Sequence, residues 1–418
     1  MSIFNLNATD SDYDEVINYS HGKTNNAINA LQNLIDNNKI ELKFDIKNGY
    51  LRSVLKALNI STTSQLLVFS KTSFQPEYIS PTTPRSIYFN DNVYVAWVQF
   101  ASKLEISTQD AKLGTVFYTL NQSKTDKPQF VRQTSKCFQC HQSNKTENIP
   151  GHIVRSVFPN SRGFPILRNG TFKTNHASPL KQRWGGWYVT GNSGKQAHMG
   201  NKIATETKGA VVFDINKELN QSELGKYFDT SPYLQKTSDI VALMIMEHQT
   251  YLQNIMNEAR FSTIMALKRQ KTMNQYFNKQ ENNISTQTLN HIHSRGDKIV
   301  QYLLFCDEIK LESEVIGSES FKKAFEQSGK FDSKGMSLKQ LNLKNRLFEY
   351  PLSYIIYSET FDNLPPLLKN YIYKQLWEIL TGKNQSEKYE HLTRSLSKKI
   401  INILIDTKKE LPDYWKIK

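Results

Sequence analysis

Only three cysteines occur in 418 residues, too few for a disulfide framework to carry the fold. No run approaches the ~18 consecutive apolar residues that would span a bilayer as a helix. Met1 to Asp10 shows neither the basic n-region nor the apolar h-region of an export signal. Ser70-Lys71-Thr72 ends like a P-loop but lacks its glycine cradle, and no dinucleotide fingerprint appears. No paired-carboxylate signature and no internal repeat are visible. Lys and Arg outnumber Asp and Glu by 53 to 39, for a formal charge of +14. They are scattered, without the dense block or motif of a nucleic-acid binder, so the excess reads as a solvated basic surface and no nucleic acid is expected.

What is present is concentrated in five residues, Cys137-Phe138-Gln139-Cys140-His141. Cys-x-x-Cys-His is the signature for covalent attachment of a c-type haem. Two thiols at this spacing can each add to a vinyl group on one porphyrin edge, and the adjacent His can offer its imidazole to the iron. At these residues the chain resembles c-type cytochromes. The resemblance implies thioethers at Cys137 and Cys140, His141 as proximal ligand, and one haem c. Two other readings compete. Zinc could use Cys137, Cys140 and His152, although structural zinc usually wants two ligand pairs. A thioredoxin-like redox pair would want a strand running into the first Cys, and the lead-in from Lys127 to Lys136 is polar and basic. Cys306 lies far away and reads as a buried thiol.

The fold class expected is α+β and mostly α, in three parts. Residues 1–125 form an N-terminal α/β region, 126–231 a loop-rich haem segment, and 232–418 a helical domain. Apolar spacing predicts helices over Ala27–Asn37 and Leu51–Leu58. Strands are predicted at Leu66–Phe69, Ser86–Phe89, Tyr94–Phe100 and Thr115–Leu120, a small antiparallel sheet. From Pro128 to Gly209, Gly, Pro, Trp and Arg accumulate, a texture suited to wrapping a flat apolar cofactor. Trp184, Trp187 and Tyr188 are candidates to pack on its ring, and Arg155 or Arg183 to meet its propionates. Further helices are predicted over Asp239–Asn257, Ser285–Cys306, Glu319–Ser328, Ser337–Tyr350, Leu367–Thr381 and Leu392–Asp406, with Asp239 and Ser337 as N-caps. They form a bundle or lid packed against the haem segment.

Pro150-Gly151-His152, Arg183-Trp184-Gly185-Gly186-Trp187-Tyr188-Val189-Thr190-Gly191, His198-Met199-Gly200-Asn201 and Leu347-Phe348-Glu349-Tyr350-Pro351-Leu352-Ser353-Tyr354 resemble phrases of a family of uncharacterised exported bacterial proteins with one CxxCH. The resemblance implies a periplasmic or exported protein whose signal has been removed. The function expected is that of a monohaem c-type cytochrome with a redox role, docking an acidic redox partner protein through its basic face. Roughly 300 residues beyond the haem segment keep a second class open, a peroxidase- or oxygenase-like haem enzyme with a small-molecule substrate at an open distal site; a zinc-binding module is a third. Three residues are candidates for the distal position. Met199 sits in a glycine-flanked loop, at a remove that small cytochromes commonly use. His198 lies beside it. His248, on the Asp239–Asn257 helix, is either a ligand or an acid–base group over the iron.

Overall fold

The computed structural model describes residue 14 and residues 16–134, 137–207 and 210–416, with the side chains of Gln139, Cys140 and Thr207 outside the description. Helix α1 (Ala27–Asp36) starts where the Asn26 side chain accepts the amides of Ile28 and Asn29, and it buries Ile28, Leu31 and Ile35. Helix α2 (Leu51–Ala57) buries Leu51, Val54 and Leu55. Six strands follow: β1 (Leu66–Val68), β2 (Arg85–Phe89), β3 (Val93–Trp97), β4 (Lys103–Asp110), β5 (Gly114–Asn121) and β6 (Phe130–Gln133). The one-turn helix α3 (Phe138–His141) leads to β7 (Arg155–Val157), β8 (Thr171–Lys173) and β9 (Trp187–Tyr188). β10 (Thr205–Thr207) and β11 (Ala210–Val212) form a separate two-stranded ribbon.

The principal sheet has seven strands in the order β6-β5-β4-β3-β2-β1-β9, all paired antiparallel. Side chains alternate between its faces. On one face Tyr88, Val95, Ile106 and Tyr118 share a core with α1 and α2. On the other, register aligns two rows across the strands: Ile87, Ala96, Glu105 and Thr119, then Tyr94, Ser107, Phe117 and Gln133. These rows mix apolar and polar groups because they face a cavity.

The expectation of a mostly helical chain with a small sheet is overturned. The protein is 36% helix and 15% strand, with a large sheet spanning residues 66–133 and the helices mostly in the C-terminal part. Two of its strands, β4 and β6, carry polar cavity-facing residues that mask the strand pattern, and β9 joins from the middle segment.

The later helices are α4 (Ile240–Tyr276), α5 (Thr286–Leu303), α6 (Glu319–Gln327), α7 (Glu359–Asp362), α8 (Pro366–Leu380) and α9 (Arg394–Thr407). α4 runs 37 residues, about 55 Å at the α-helical rise. Its N-cap Asp239 accepts the Ala242 amide, and burial raises its carboxyl to about 6. The first two-thirds of α4 is buried on nearly all sides, as expected for a helix at the centre of a core. Residues of α4, α5, α8 and α9 share one apolar cluster with Leu66, Val68 and Ile87 of the sheet. The helix and Ser337 cap predicted for Ser337–Tyr350 do not form: this stretch is a loop bridged between Leu341 and Phe348, with Leu343 at φ 60°. No helix among the described residues is long and apolar enough to cross a membrane.

Candidate functional site

The Cys-x-x-Cys-His segment follows edge strand β6 almost directly, so the sheet delivers the motif to the end of its cavity-facing side. Cys137 is half-buried and stands at the start of α3. The Cys140 backbone lies within α3, but its side chain is outside the described residues. The His141 amide donates to Cys137 O at 2.9 Å, closing the turn.

His141 is held by a reciprocal pair of bonds. The Gly151 amide donates to His141 O at 2.9 Å, and His141 Nδ1 lies 2.8 Å from Gly151 O. A carbonyl can only accept, so Nδ1 carries the proton and Nε2 keeps its lone pair. This fixes the tautomer and ring orientation, as a backbone carbonyl does for metal-bound histidines. Burial depresses the His141 pKa, favouring the neutral imidazole that a metal requires.

Helix α4 locks this arrangement. Asn254 Oδ1 accepts the His152 amide at 2.9 Å, and its Nδ2 donates to His152 O at 2.7 Å. Gly151 is needed for the close approach: a Cβ there would lie 2.5 Å from Asn254 Oδ1.

His141 and Cys137 open into a cavity of about 500 Å³, within the size range of cofactor and substrate sites. Its floor is the mixed face of the sheet, with Phe117 centred 4.8 Å from the His141 ring. Trp187 forms another part of the lining, its Nε1 donating to Arg155 O at 2.9 Å. Met246 and Thr250 reach it from α4. His152 also lines it; its Nε2 is 2.9 Å from Ser107 Oγ, and burial pushes its pKa down to about 3. The charged lining is an ion pair, Arg85 to Glu105 at 2.9 Å, with Gln75 donating to the same carboxylate. Arg85 Nε is buried without a protein partner.

No protein-family model, curated protein or solved structure matches the chain. The site is therefore read from its own residues.

Of the residues singled out in the sequence, Cys137, His141, His152 and Trp187 line this cavity; the Cys140 side chain lies outside the described residues, and the remaining candidates are not among the lining. Met199 is buried elsewhere, its sulfur 3.5 Å from the Ser156 hydroxyl. His198 accepts the Gly200 amide at Nδ1 and packs edge-on against Trp184. His248 has both ring nitrogens engaged, Nε2 with Ser353 Oγ at 2.7 Å and Nδ1 with His176 Nδ1 at 2.9 Å. Arg183 is committed to Glu247 at 3.1 Å and to the carbonyls of Ser178 and His176. Trp184 is fully buried. Among the described residues, no three His, Cys, Asp or Glu side chains converge as a metal-binding group.

Sequence reading missed Tyr94, Arg85, Glu105 and Met246 as cavity residues. In sequence Met246 reads as one of the apolar residues of the Asp239–Asn257 helix, with Ile240, Leu243, Ile245 and Leu252. The available signal was its spacing from Thr250 and Asn254, an i, i+4, i+8 row that puts the three on one helix face.

Proposed function

We propose that the protein is a monohaem c-type cytochrome with a redox role outside the cytoplasm, carrying one covalent haem in this cavity. The observation that carries the reading is the joint placement of Cys137 and His141 on a cofactor-sized cavity, with His141 Nδ1 tied to Gly151 O. The donor set suits haem: a neutral imidazole of fixed tautomer beside a thiol, and an apolar surround that includes Ile87, Ala96, Phe117, Val154 and Trp187. The orphaned Nε of Arg85 suits an anionic edge group such as a propionate.

Cys137 and Cys140 would hold the porphyrin edge and His141 the iron. Bound haem would supply one-electron chemistry at the iron. The Gly151 carbonyl strengthens His141 as a donor by accepting from Nδ1, and Asn254 keeps that carbonyl in place through the neighbouring residue. Ile87, Ala96, Val154 and Trp187 would give the porphyrin apolar contact, and the Arg85–Glu105 pair would place its charges beside it. The formal net charge of +14 suits an acidic redox partner.

Intact mass tests the reading. Protein matured with a periplasmic haem-attachment system is expected to exceed its polypeptide mass by one haem, and Cys137→Ser with Cys140→Ser to lose the increment. An unmodified mass with stoichiometric zinc would refute it.

A further inference from the structure

Haem iron held by His141 has a second axial position, and the cavity restricts what can fill it. Four described residues lining the cavity carry a nitrogen or sulfur donor suited to iron: Cys137, His141, His152 and Met246. Cys137 belongs to the thioether and His141 to the proximal side. His152 has Nε2 engaged by Ser107 and follows Gly151 on the loop that clamps His141, where Asn254 holds its amide, so it belongs to the proximal side. Met246 is left. No hydrogen bond to its sulfur is found among the described residues, in contrast to the Met199 sulfur, which faces Ser156.

Helix geometry adds a second argument. Met246, Thr250 and Asn254 form one face of α4. The first two line the cavity, and the third grips the loop that orients His141. Eight residues of helix separate Met246 from Asn254 by about 12 Å. One rigid element therefore holds the proximal loop at one point and places Met246 on the wall of the same cavity at another. The Thr250 hydroxyl donates to Met246 O at 2.6 Å, fixing the backbone between them.

We propose that Met246 Sδ is the second axial ligand of the iron. The assignment rests on the haem reading above and adds the identity of the ligand to it. A soft thioether opposite an imidazole favours the ferrous state and raises the potential relative to two imidazoles. It also closes the iron to small ligands at rest, which makes the protein a carrier of electrons instead of an enzyme with an open site.

The test uses the holoprotein and three variants, Met246→Leu, Met199→Leu and His152→Gln. Leucine conserves the volume of methionine in a packed core while removing the sulfur. Wild-type ferric protein is expected to show the far-red sulfur-to-iron charge-transfer band. Met246→Leu should lose it, bind CO in the ferrous state and shift to a lower potential, while Met199→Leu keeps the band. Covalent haem attached to Met246→Leu with the band intact would overturn the ligand assignment alone. So would a bis-imidazole wild-type spectrum abolished by His152→Gln. A wild type that matures without haem overturns both readings.

Discussion

Asn254→Ala removes the side chain that joins α4 to the His141 loop. Its two bonds, 2.9 Å from the His152 amide and 2.7 Å to the His152 carbonyl, are buried and bridge 102 residues of sequence. Alanine leaves both backbone groups without partners. Each orphaned buried group costs about 1–3 kcal/mol, so the substitution should destabilise the protein by about 2–6 kcal/mol. Urea unfolding at constant m-value reads this as a lower midpoint. Hydrogen exchange gives a local check. The His152 amide should lose its protection, and the Gly151 amide, which donates to His141 O, should follow as the loop loosens. Asn254→Asp keeps the acceptor for the His152 amide but loses the donor and buries a charge, so it should also destabilise. A loss below about 0.5 kcal/mol, with the His152 amide still protected, would refute the idea that α4 holds the loop, since surface-like changes fall in that range.

Glu247→Ala leaves the Arg183 guanidinium buried without its counter-ion, and should cost about 3–5 kcal/mol. Arg183→Met with Glu247→Leu should recover much of that loss, and a double variant no better than the single would contradict the argument. Gly151→Ala places a methyl 2.5 Å from Asn254 Oδ1, so a loss of about 1–3 kcal/mol is expected from forced overpacking, visible as a lower urea midpoint. The pH dependence follows from buried histidines. His152, His198 and His248 are pushed by burial from the ordinary 6.5 to about 3. The unfolded chain then takes up protons first, so their stability is complete above pH 6.5 and is lost as pH falls towards 3. The loss is about 1.4 kcal/mol per histidine per pH unit. Asp239 and Glu308, raised by burial to about 6 and about 7, gain protons in the folded state and oppose the loss. The histidines outnumber them, so unfolding midpoints should fall between pH 7 and 5; a flat profile would contradict this balance.

Much of the scaffold was legible in the sequence. The spacing of Ile28, Leu31 and Ile35 predicted α1, and runs rich in β-branched and aromatic residues located β2, β3 and β5. β4 escaped because only Leu104 and Ile106 mark its period-two pattern before the polar run Ser107 to Asp110; Glu105 and Ser107 face a cavity instead of solvent. β6 escaped for a related reason, its Arg132 and Gln133 reading as polar lead-in. α4 was expected to stop at Asn257 yet continues to Tyr276, and no glycine or proline marks an end before that residue. Five residues of sequence pointed to the cavity that Cys137 and His141 line. Its opposite wall was not visible, since Met246 looks like any core methionine until the helix carrying it is placed in three dimensions. His198, Met199 and His248 do not line that cavity; a donor atom near glycines, or on a helix, carries no sign of which way it faces.

The parts of the cavity differ in how far along the chain their partners lie. Floor strands pair with sequence neighbours, and the His141 clamp closes over 10 residues. The α4 wall reaches back 102 residues to His152 and 159 to Tyr94. Closing long loops costs more entropy, and distant contacts generally form later. The order of assembly is thus built into the topology: floor first, clamp next, helix last. A half-assembled chain is then an open basin with Cys137 and His141 on its lining and the His141 loop not yet locked by Asn254. Docking of α4 then adds the wall that carries Met246 and Thr250. Pulsed hydrogen exchange during refolding should find the amides of β3 to β5 protected ahead of those in α4, and the reverse order would mean that the basin never exists.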